Sequence, residues 1–203
     1  MNQEEPDSAQ PDFWSQRYLS GRIPWQLEHI PARLNVFIRA LPSGSKILIP
    51  GCGEDSGTID AFRRGGHQVT AIDFSPVAVE HTNKALPGLG GNIILGDFFT
   101  HDFGTARFDV IYERTFLCSL PPRLWKDYAK RVSQLLRSQG TLAGFFFYGE
   151  ESDPPPYPLT ESQALEIFGR HFDLQKSEPV TDSLPFFAGS ERWQEWQLRS
   201  EET

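Results

Sequence analysis

The sequence has few cysteines, no long apolar run and a shortage of basic residues, and each absence excludes a class of protein. Two cysteines, Cys52 and Cys118, are too few for a disulfide framework, so we expect both to be free thiols. No apolar stretch of about 18 residues or more is present to cross a bilayer. Lysine and arginine number 19 against 27 acidic residues, and this balance argues against a nucleic-acid partner.

The N-terminal residues carry neither a targeting signal nor a folding pattern. Residues 1–12 are rich in Gln, Glu, Asp and Pro, so we predict a disordered tail, and they lack the basic then apolar order of a signal peptide. The five histidines have no ligand-like spacing, so we expect no metal. Residues 13–203 suffice for a single domain. We therefore expect a cytoplasmic, monomeric protein whose partner is a small molecule and not a membrane.

The most informative stretch runs from residue 45 to residue 75. An apolar run at residues 46–50 stops at Gly51-Cys52-Gly53, and a segment with helical spacing follows it. A second β-branched run ends on Asp73, about 20 residues beyond the glycines, where an acid accepts hydrogen bonds from the ribose of a bound nucleoside. The stretch predicts a strand, a glycine turn, a helix and a second strand around a nucleoside site.

Predicted strands and helices alternate along the rest of the chain. Apolar residues at helical spacing predict helices at residues 29–41, 76–86 and 124–136 and a short one after residue 160. Apolar runs predict strands at residues 92–95, 108–112, 141–148, 171–180 and 192–199. This order favours an α/β fold, Rossmann-like and doubly wound, with a mostly parallel seven-stranded sheet. The last two strands lack a helix between them, which predicts an antiparallel edge hairpin.

Polar residues follow several of the predicted strands. Because ligands bind beyond the carboxyl ends of parallel strands, Gly51, Asp73, Asp97 and the pair Glu113-Arg114 are predicted to share one crevice. Asp97 could accept a hydrogen bond from the exocyclic amine of adenine. Taken singly, each acid also has an ordinary structural role: Asp73 could cap a helix, and Asp97 could lie in a turn. Ser56 stands where a dinucleotide enzyme has its third glycine, so the pattern favours a nucleoside cofactor without a pyrophosphate over NAD.

Aromatic residues are concentrated ahead of the first strand, at Phe13, Trp14, Tyr18 and Trp25. Two interpretations are open. The aromatics either pack an N-terminal extension onto the domain or form a lid over a ligand.

Several segments together resemble a known family. The quoted segments are FWSQRYLSGRIPW, IPGCGEDSGTIDAFRRGGHQVTAIDFSPVAVE, GDFF, FDVIYERTFLCSLPP and GTLAGFFFYGEESDPPPYPLT. They are similar to class I S-adenosylmethionine-dependent methyltransferases and, within that class, to the thiopurine S-methyltransferase family with its plant thiol and halide methyltransferase relatives. The resemblance extends from about residue 13 to residue 198.

The resemblance implies a role for each candidate residue. Cofactor-binding residues would be Trp14, Trp25, Gly51, Cys52, Gly53, Asp73, Phe74, Asp97, Phe98 and Glu113. Catalytic residues would be Arg114, Tyr148 and Arg192, and Thr115, Tyr157 and Trp193 would also lie near the acceptor. A cation such as Arg114 or Arg192 would favour the thiolate, which is the attacking form of a thiol.

The predicted activity is therefore transfer of a methyl group from S-adenosylmethionine to a small soft nucleophile, with a thiol preferred. The alternatives are a halide, oxygen or nitrogen acceptor, or a binding module without turnover. Asp153-Pro154-Pro155-Pro156-Tyr157 departs from relatives that have glycine ahead of the Pro-Pro-aromatic motif, so the acceptor loop is expected to be stiffer than theirs.

Overall fold

A computed structural model describes residues 7–89, 92–151, 153–187 and 189–200. The α-helices are α1 (Pro11–Leu19), α2 (Ala32–Ala40), α3 (Ser56–Arg64), α4 (Pro76–Ala85), α5 (Trp125–Leu135) and α6 (Glu161–Phe168). The strands are β1 (Lys46–Pro50), β2 (Gln68–Asp73), β3 (Ile93–Leu95), β4 (Phe108–Arg114), β5 (Leu136–Phe147), β6 (Phe172–Pro179) and β7 (Glu191–Leu198). Short 3-10 helices lie at Leu117–Ser119, Pro122–Leu124 and Pro185–Phe187.

The seven strands form one sheet in the order β3-β2-β1-β4-β5-β7-β6. Strands β1 to β5 are parallel, and β7 pairs antiparallel with both β5 and β6. The predicted fold class, including the antiparallel edge pair, is confirmed. The order reverses at β1, so the carboxyl ends of β1, β2 and β4 meet where such sheets bind their ligands.

Helices cover both faces of the sheet because the strands are apolar on both sides. One face packs against α2 and α3, with the aromatic rings of Phe37, Phe62 and Trp193 in its core. The other packs against α5 and α6, with Tyr128, Phe168 and Trp196 in its core. Trp193 and Trp196 of one strand therefore enter opposite layers. Their packing fixes β7 between β5 and the edge strand.

The sequence patterns predicted the ends of most helices and strands to within a few residues of their observed positions. Ser75 caps α4 as predicted: its side chain accepts a hydrogen bond from the amide of Ala78, and Pro76 takes the first helical position. The predicted start of order at Phe13 is two residues late, because α1 begins at Pro11. Residues 1–6 of the predicted disordered tail lie outside the described residues.

The strand predicted at residues 141–148 begins earlier than predicted. β5 begins at Leu136 and includes Gln139, which adopts a φ of 60° within the strand. A second difference is the crossover from β3 to β4, residues 96–107, which is fully described and contains no helix. The backbone carbonyls of Phe98 and His101 in this crossover accept hydrogen bonds from Arg131 of α5.

No described helix is long and apolar enough to cross a membrane. Among the described residues there is also no group of three or more His, Cys, Asp or Glu side chains arranged to hold a metal ion. Cys52 and Cys118 are both buried free thiols.

Candidate active site

A cavity of about 540 Å³ opens at the carboxyl ends of β1 to β4. Seven of the predicted cofactor-binding residues line it. They are Trp14, Trp25, Gly51, Asp73, Phe74, Asp97 and Phe98. The structure therefore brings the N-terminal tryptophans to the same space as the glycine turn and the two acids.

The glycine turn after β1 has a conformation that side chains disfavour. Gly51 and Gly53 have φ values of 56° and 52°. A Cβ on Gly51 would lie 2.1 Å from a ring carbon of Phe116, and one on Gly53 would lie 2.6 Å from the Tyr18 hydroxyl. The glycines are required because Phe116, just after β4, and Tyr18 of α1 lie directly against this turn.

Asp73 is the last residue of β2, and its carboxylate faces the cavity from a buried position. One carboxylate oxygen accepts a hydrogen bond from the amide of Gly53 and the other from the amide of Ser75, each at 2.8 Å. Burial raises the pKa of Asp73 to about 6, and the backbone hydrogen bonds limit that rise. Each oxygen keeps a lone pair for a ligand hydroxyl.

Asp97 and Phe98 follow β3 and have different environments. Asp97 is exposed, and its carboxylate accepts a hydrogen bond from the amide of Phe99 at 2.8 Å. The Phe98 ring is buried and lies edge-on to Phe116, with 5.5 Å between ring centroids. The two residues thus place an accepting carboxylate beside an apolar aromatic wall, as adenine requires.

Glu113 does not line either cavity; its side chain lies inside the protein. Its carboxylate accepts hydrogen bonds from the amides of Phe116 and Leu117, both at 2.9 Å, and from the hydroxyl of Tyr128 at 2.6 Å. Burial raises the pKa of Glu113 to about 7, while these donors oppose the rise. These contacts show that Glu113 stabilises the turn after β4. The sequence, by contrast, predicts that Glu113 contacts the cofactor.

A smaller cavity of about 50 Å³ adjoins the glycine turn and contains the second group of predicted residues. Cys52, Gly53 and Arg114 line it, together with Tyr112. Arg114 is buried, with Nη2 3.8 Å from a carboxylate oxygen of Glu191. Nε and Nη1 of Arg114 and the hydroxyl of Tyr112 are buried without a hydrogen-bond partner among the described residues. Two residues that line the small cavity therefore carry three buried polar atoms without a hydrogen-bond partner among the described residues.

Tyr148 and Arg192, predicted as catalytic, line neither cavity in the described part of the chain. The Tyr148 hydroxyl donates to Gln194, and Arg192 Nε donates to the hydroxyl of Ser177 on β6. Trp193, predicted near the acceptor, is buried in the core against α2. These side chains lie with β6 and β7, away from the carboxyl end of β1.

Thr115, at the end of β4, lines both cavities and has a strained backbone. Its φ is 61°, a value that β-branched residues rarely adopt, and its hydroxyl donates to the carbonyl of Arg114. The residue lies where the two cavities meet. Such a strained residue at a ligand site is common in enzymes.

The N-terminal segment forms a wall of the main cavity. The Trp14 indole donates to the carbonyl of Ser8, and the hydroxyls of Ser15 and Ser75 share a buried hydrogen bond of 2.9 Å. Trp25 continues the wall by edge contacts with Trp14 and Phe186. The structure combines the two interpretations of the aromatic segment, because the segment packs onto α4 and also forms part of the cavity wall.

Sequence reasoning missed several lining residues. They are Arg17, Phe116, Phe186 and Phe187, and a face of α5 formed by Asp127, Lys130, Arg131 and Gln134. Pro155 and Pro156, which also line the cavity, belong to the acceptor loop predicted from the sequence. The spacing of three and four along α5 places these four residues on one face of the helix, but it does not indicate that this face borders the cavity.

Three comparisons relate the chain to known proteins. The profile of the thiopurine S-methyltransferase family matches residues 9–199. A probable thiol methyltransferase 2 of Arabidopsis thaliana is 31% identical over 162 residues, which cover 76% of this chain and 70% of the relative. A thiopurine S-methyltransferase of Vibrio cholerae is 29% identical over 177 residues, covering 78% and 80%.

A solved structure shows the same fold. It is the 1,6-didemethyltoxoflavin N1-methyltransferase of Burkholderia thailandensis, solved with its substrate and S-adenosylhomocysteine. It aligns with a TM-score of 0.74 and 20% identity over 94% of this chain and 87% of its own. At that identity the likeness concerns the fold.

Proposed function

The chain belongs to the thiopurine S-methyltransferase family, and on this premise we propose that it methylates the sulfur of a small thiol. It is an S-adenosylmethionine-dependent methyltransferase. The observation that carries the proposal is the single cavity in which Gly51, Asp73 and Asp97 meet Trp14 and Trp25. The proposed cofactor site and the proposed acceptor site are therefore two parts of the same cavity.

The residues fit the cofactor from end to end. Phe98 and Asp97 suit adenine, and the free lone pairs of Asp73 suit the ribose hydroxyls. The unused donors of Arg114 and Tyr112 suit the carboxylate of the methionyl group, because buried polar groups without partners are costly unless a ligand satisfies them. Arg114 thus stays in the proposed site as a residue that binds negative charge.

The opposite part of the main cavity is proposed as the acceptor half. We define the acceptor half as the following subset of the residues that line the main cavity: Ser8, Trp14, Arg17, Trp25, Thr115, Cys118, Pro155, Pro156, Phe186 and Phe187. Most of these side chains are apolar or aromatic. They would exclude water and hold the acceptor in line with the methyl group, which accounts for much of the rate gain in such transfers.

The acceptor half favours a nucleophile that needs no base. Its described lining residues include no histidine and no carboxylate, and burial strongly raises the pKa of the Cys118 thiol. A thiol with a pKa of about 8.5 supplies its thiolate from solution near neutral pH, whereas an alcohol does not. The thiolate sulfur bonds to the methyl carbon as the carbon–sulfonium bond breaks, and the electron pair of that bond stays on the sulfur of the product, S-adenosylhomocysteine.

Calorimetry and an acceptor panel test the proposal. The protein should bind S-adenosylmethionine and S-adenosylhomocysteine, and mass spectrometry should detect methylated thiols after incubation with S-adenosylmethionine. Absence of binding by the folded protein would refute the cofactor. Methylation of a halide, an amine or an alcohol but no thiol would refute the acceptor class. Binding with no turnover across the panel would favour a module without catalysis.

A further inference from the structure

Arg17 is the one charged residue among the described residues of the acceptor half. It lies on α1, one turn after Phe13, and its guanidinium carbon sits 3.7 Å from the centroid of the Phe13 ring. The Trp14 ring is also near it, at 5.7 Å. Two aromatic rings therefore hold the guanidinium at the wall of the main cavity, whose other charged lining residues are Asp73, Asp97, Asp127, Lys130 and Arg131.

The charge of Arg17 is not neutralised by a direct partner. In the described part of the chain, no carboxylate is within ion-pairing distance of Arg17. Partial burial and the neighbouring Arg22 both lower the pKa of Arg17, and Asp153 opposes them only through space. An anion that entered the acceptor half would meet a cation with unused donors.

We propose that Arg17 selects acceptor thiols that carry a second, negatively charged group such as a carboxylate. The inference rests on the proposed function. A planar guanidinium binds a carboxylate through two parallel hydrogen bonds, while the aromatic residues around it contact the body of the acceptor. Arg17 is thus a specificity-determining residue.

The positions of the two arginines separate their roles. Arg114 lines the small cavity beside the glycine turn, and Arg17 lines only the main one. Arg17 is also half-buried, whereas its neighbour Tyr18 is buried and reaches Gly53. Arg17 therefore lies on the outer side of the wall, where the end of an acceptor remote from its sulfur would lie.

A matched pair of acceptors tests the proposal. Mercaptoacetate and 2-mercaptoethanol have similar sizes, and only the first carries a carboxylate. In R17Q the ratio of kcat/KM for mercaptoacetate over 2-mercaptoethanol should fall about tenfold, the loss expected for a hydrogen bond to a charged group. R17K should retain part of the preference, because it keeps the charge but not the planar fork. R22Q, which changes an exposed arginine of the same segment, should leave the ratio unchanged.

A binding measurement gives a second readout that needs no turnover. With the protein saturated in S-adenosylhomocysteine, the affinity for the methylated product methylthioacetate should fall in R17Q, and that for 2-(methylthio)ethanol should not. Melting temperatures of all variants show that the fold persists. If wild type methylates neither of these two thiols, this measurement still decides the role of Arg17, and the wider acceptor panel decides the proposed function.

Three results would overturn the inference. The first is an unchanged acceptor ratio together with unchanged product affinities in R17Q. The second is an equal loss for both thiols with a shift of the pH profile, which would assign Arg17 to the thiolate. The third is weaker binding of S-adenosylhomocysteine with no change in acceptor preference, which would assign Arg17 to the cofactor.

Discussion

Protonation of Asp73 should control cofactor affinity in a narrow pH range. The ribose hydroxyls donate to an ionised carboxylate, and charge-assisted hydrogen bonds of this kind are about twice as strong as neutral ones. With a pKa of about 6, the ionised fraction of Asp73 in the free protein falls about tenfold between pH 7 and pH 5. The affinity for S-adenosylhomocysteine should fall by the same factor and level off above pH 7.

The stability contribution of Asp73 has the opposite pH dependence. Because burial raises its pKa above the unfolded value of about 3.9, the folded protein binds the proton more tightly. The contribution is full below the unfolded pKa and is lost as the pH rises through the folded pKa, a loss of about 3 kcal/mol. Weak binding at pH 5 therefore cannot be attributed to Asp73 destabilising the fold there.

Calorimetric titrations at pH 5, 6, 7 and 8 measure the effect, and D73N is the matched control. Asn accepts one of the two backbone hydrogen bonds that Asp73 now accepts, and it removes a buried charge, so these opposing changes leave the melting temperature near that of wild type. D73N should bind weakly at every pH and lose the dependence with a midpoint near 6. A flat profile in wild type, or the same slope in D73N, would refute the reasoning.

Three further substitutions have defined outcomes. E113Q keeps both backbone hydrogen bonds through its side-chain carbonyl oxygen, and its side-chain amide can donate to the Tyr128 hydroxyl. Thermal unfolding at pH 8 should therefore show a free energy of unfolding higher by up to about 3 kcal/mol, and this gain should disappear towards pH 4. The affinity for S-adenosylhomocysteine should be unchanged. G51A should lower the affinity for S-adenosylhomocysteine at least about tenfold in calorimetry and the stability by about 1–3 kcal/mol, since its Cβ displaces the Phe116 ring. T115G should raise the stability in urea unfolding by about 1 kcal/mol through relief of the strained φ.

A glycine in the neighbouring helix α3 provides the control for G51A. In G57A the new Cβ meets Ile30 at 3.5 Å, an ordinary contact in α3, so binding should persist. Loss of binding in both G51A and G57A would show that any bulk near the turn is disruptive. A pH-independent effect of E113Q would contradict the raised pKa of Glu113, and destabilisation in T115G would contradict the strain at that residue.

The fold was predictable because its signals are local. A β-branched run, a glycine turn and an acid at the next strand end define β1, α3 and β2, and Ser75-Pro76 defines the start of α4. Strand direction then places Gly51 and Asp73 at the same edge. The cofactor-side candidates follow from this short-range pattern and the parallel sheet.

The residues predicted near the acceptor depended on information that the sequence does not carry locally. β4 continues to Arg114, so Glu113 remains inside a strand, and whether it faces α5 or the cavity depends on one step of side-chain alternation. Arg192 is the second residue of β7, three strands from β1, which is about 14 Å at the usual strand spacing. Arg17 lies on a helix that the aromatic content did not predict as helical.

The division of the main cavity between distant parts of the chain bears on how acceptor preference can change over evolution. Gly51, Asp73 and Asp97 come from the continuous β1–β3 segment. The acceptor half is built largely from residues 8–25 and 153–187, which lie before and after that segment in the chain. Recombination that exchanges these two peptides between relatives would transplant substrate choice while leaving the methyl-donor machinery inherited intact.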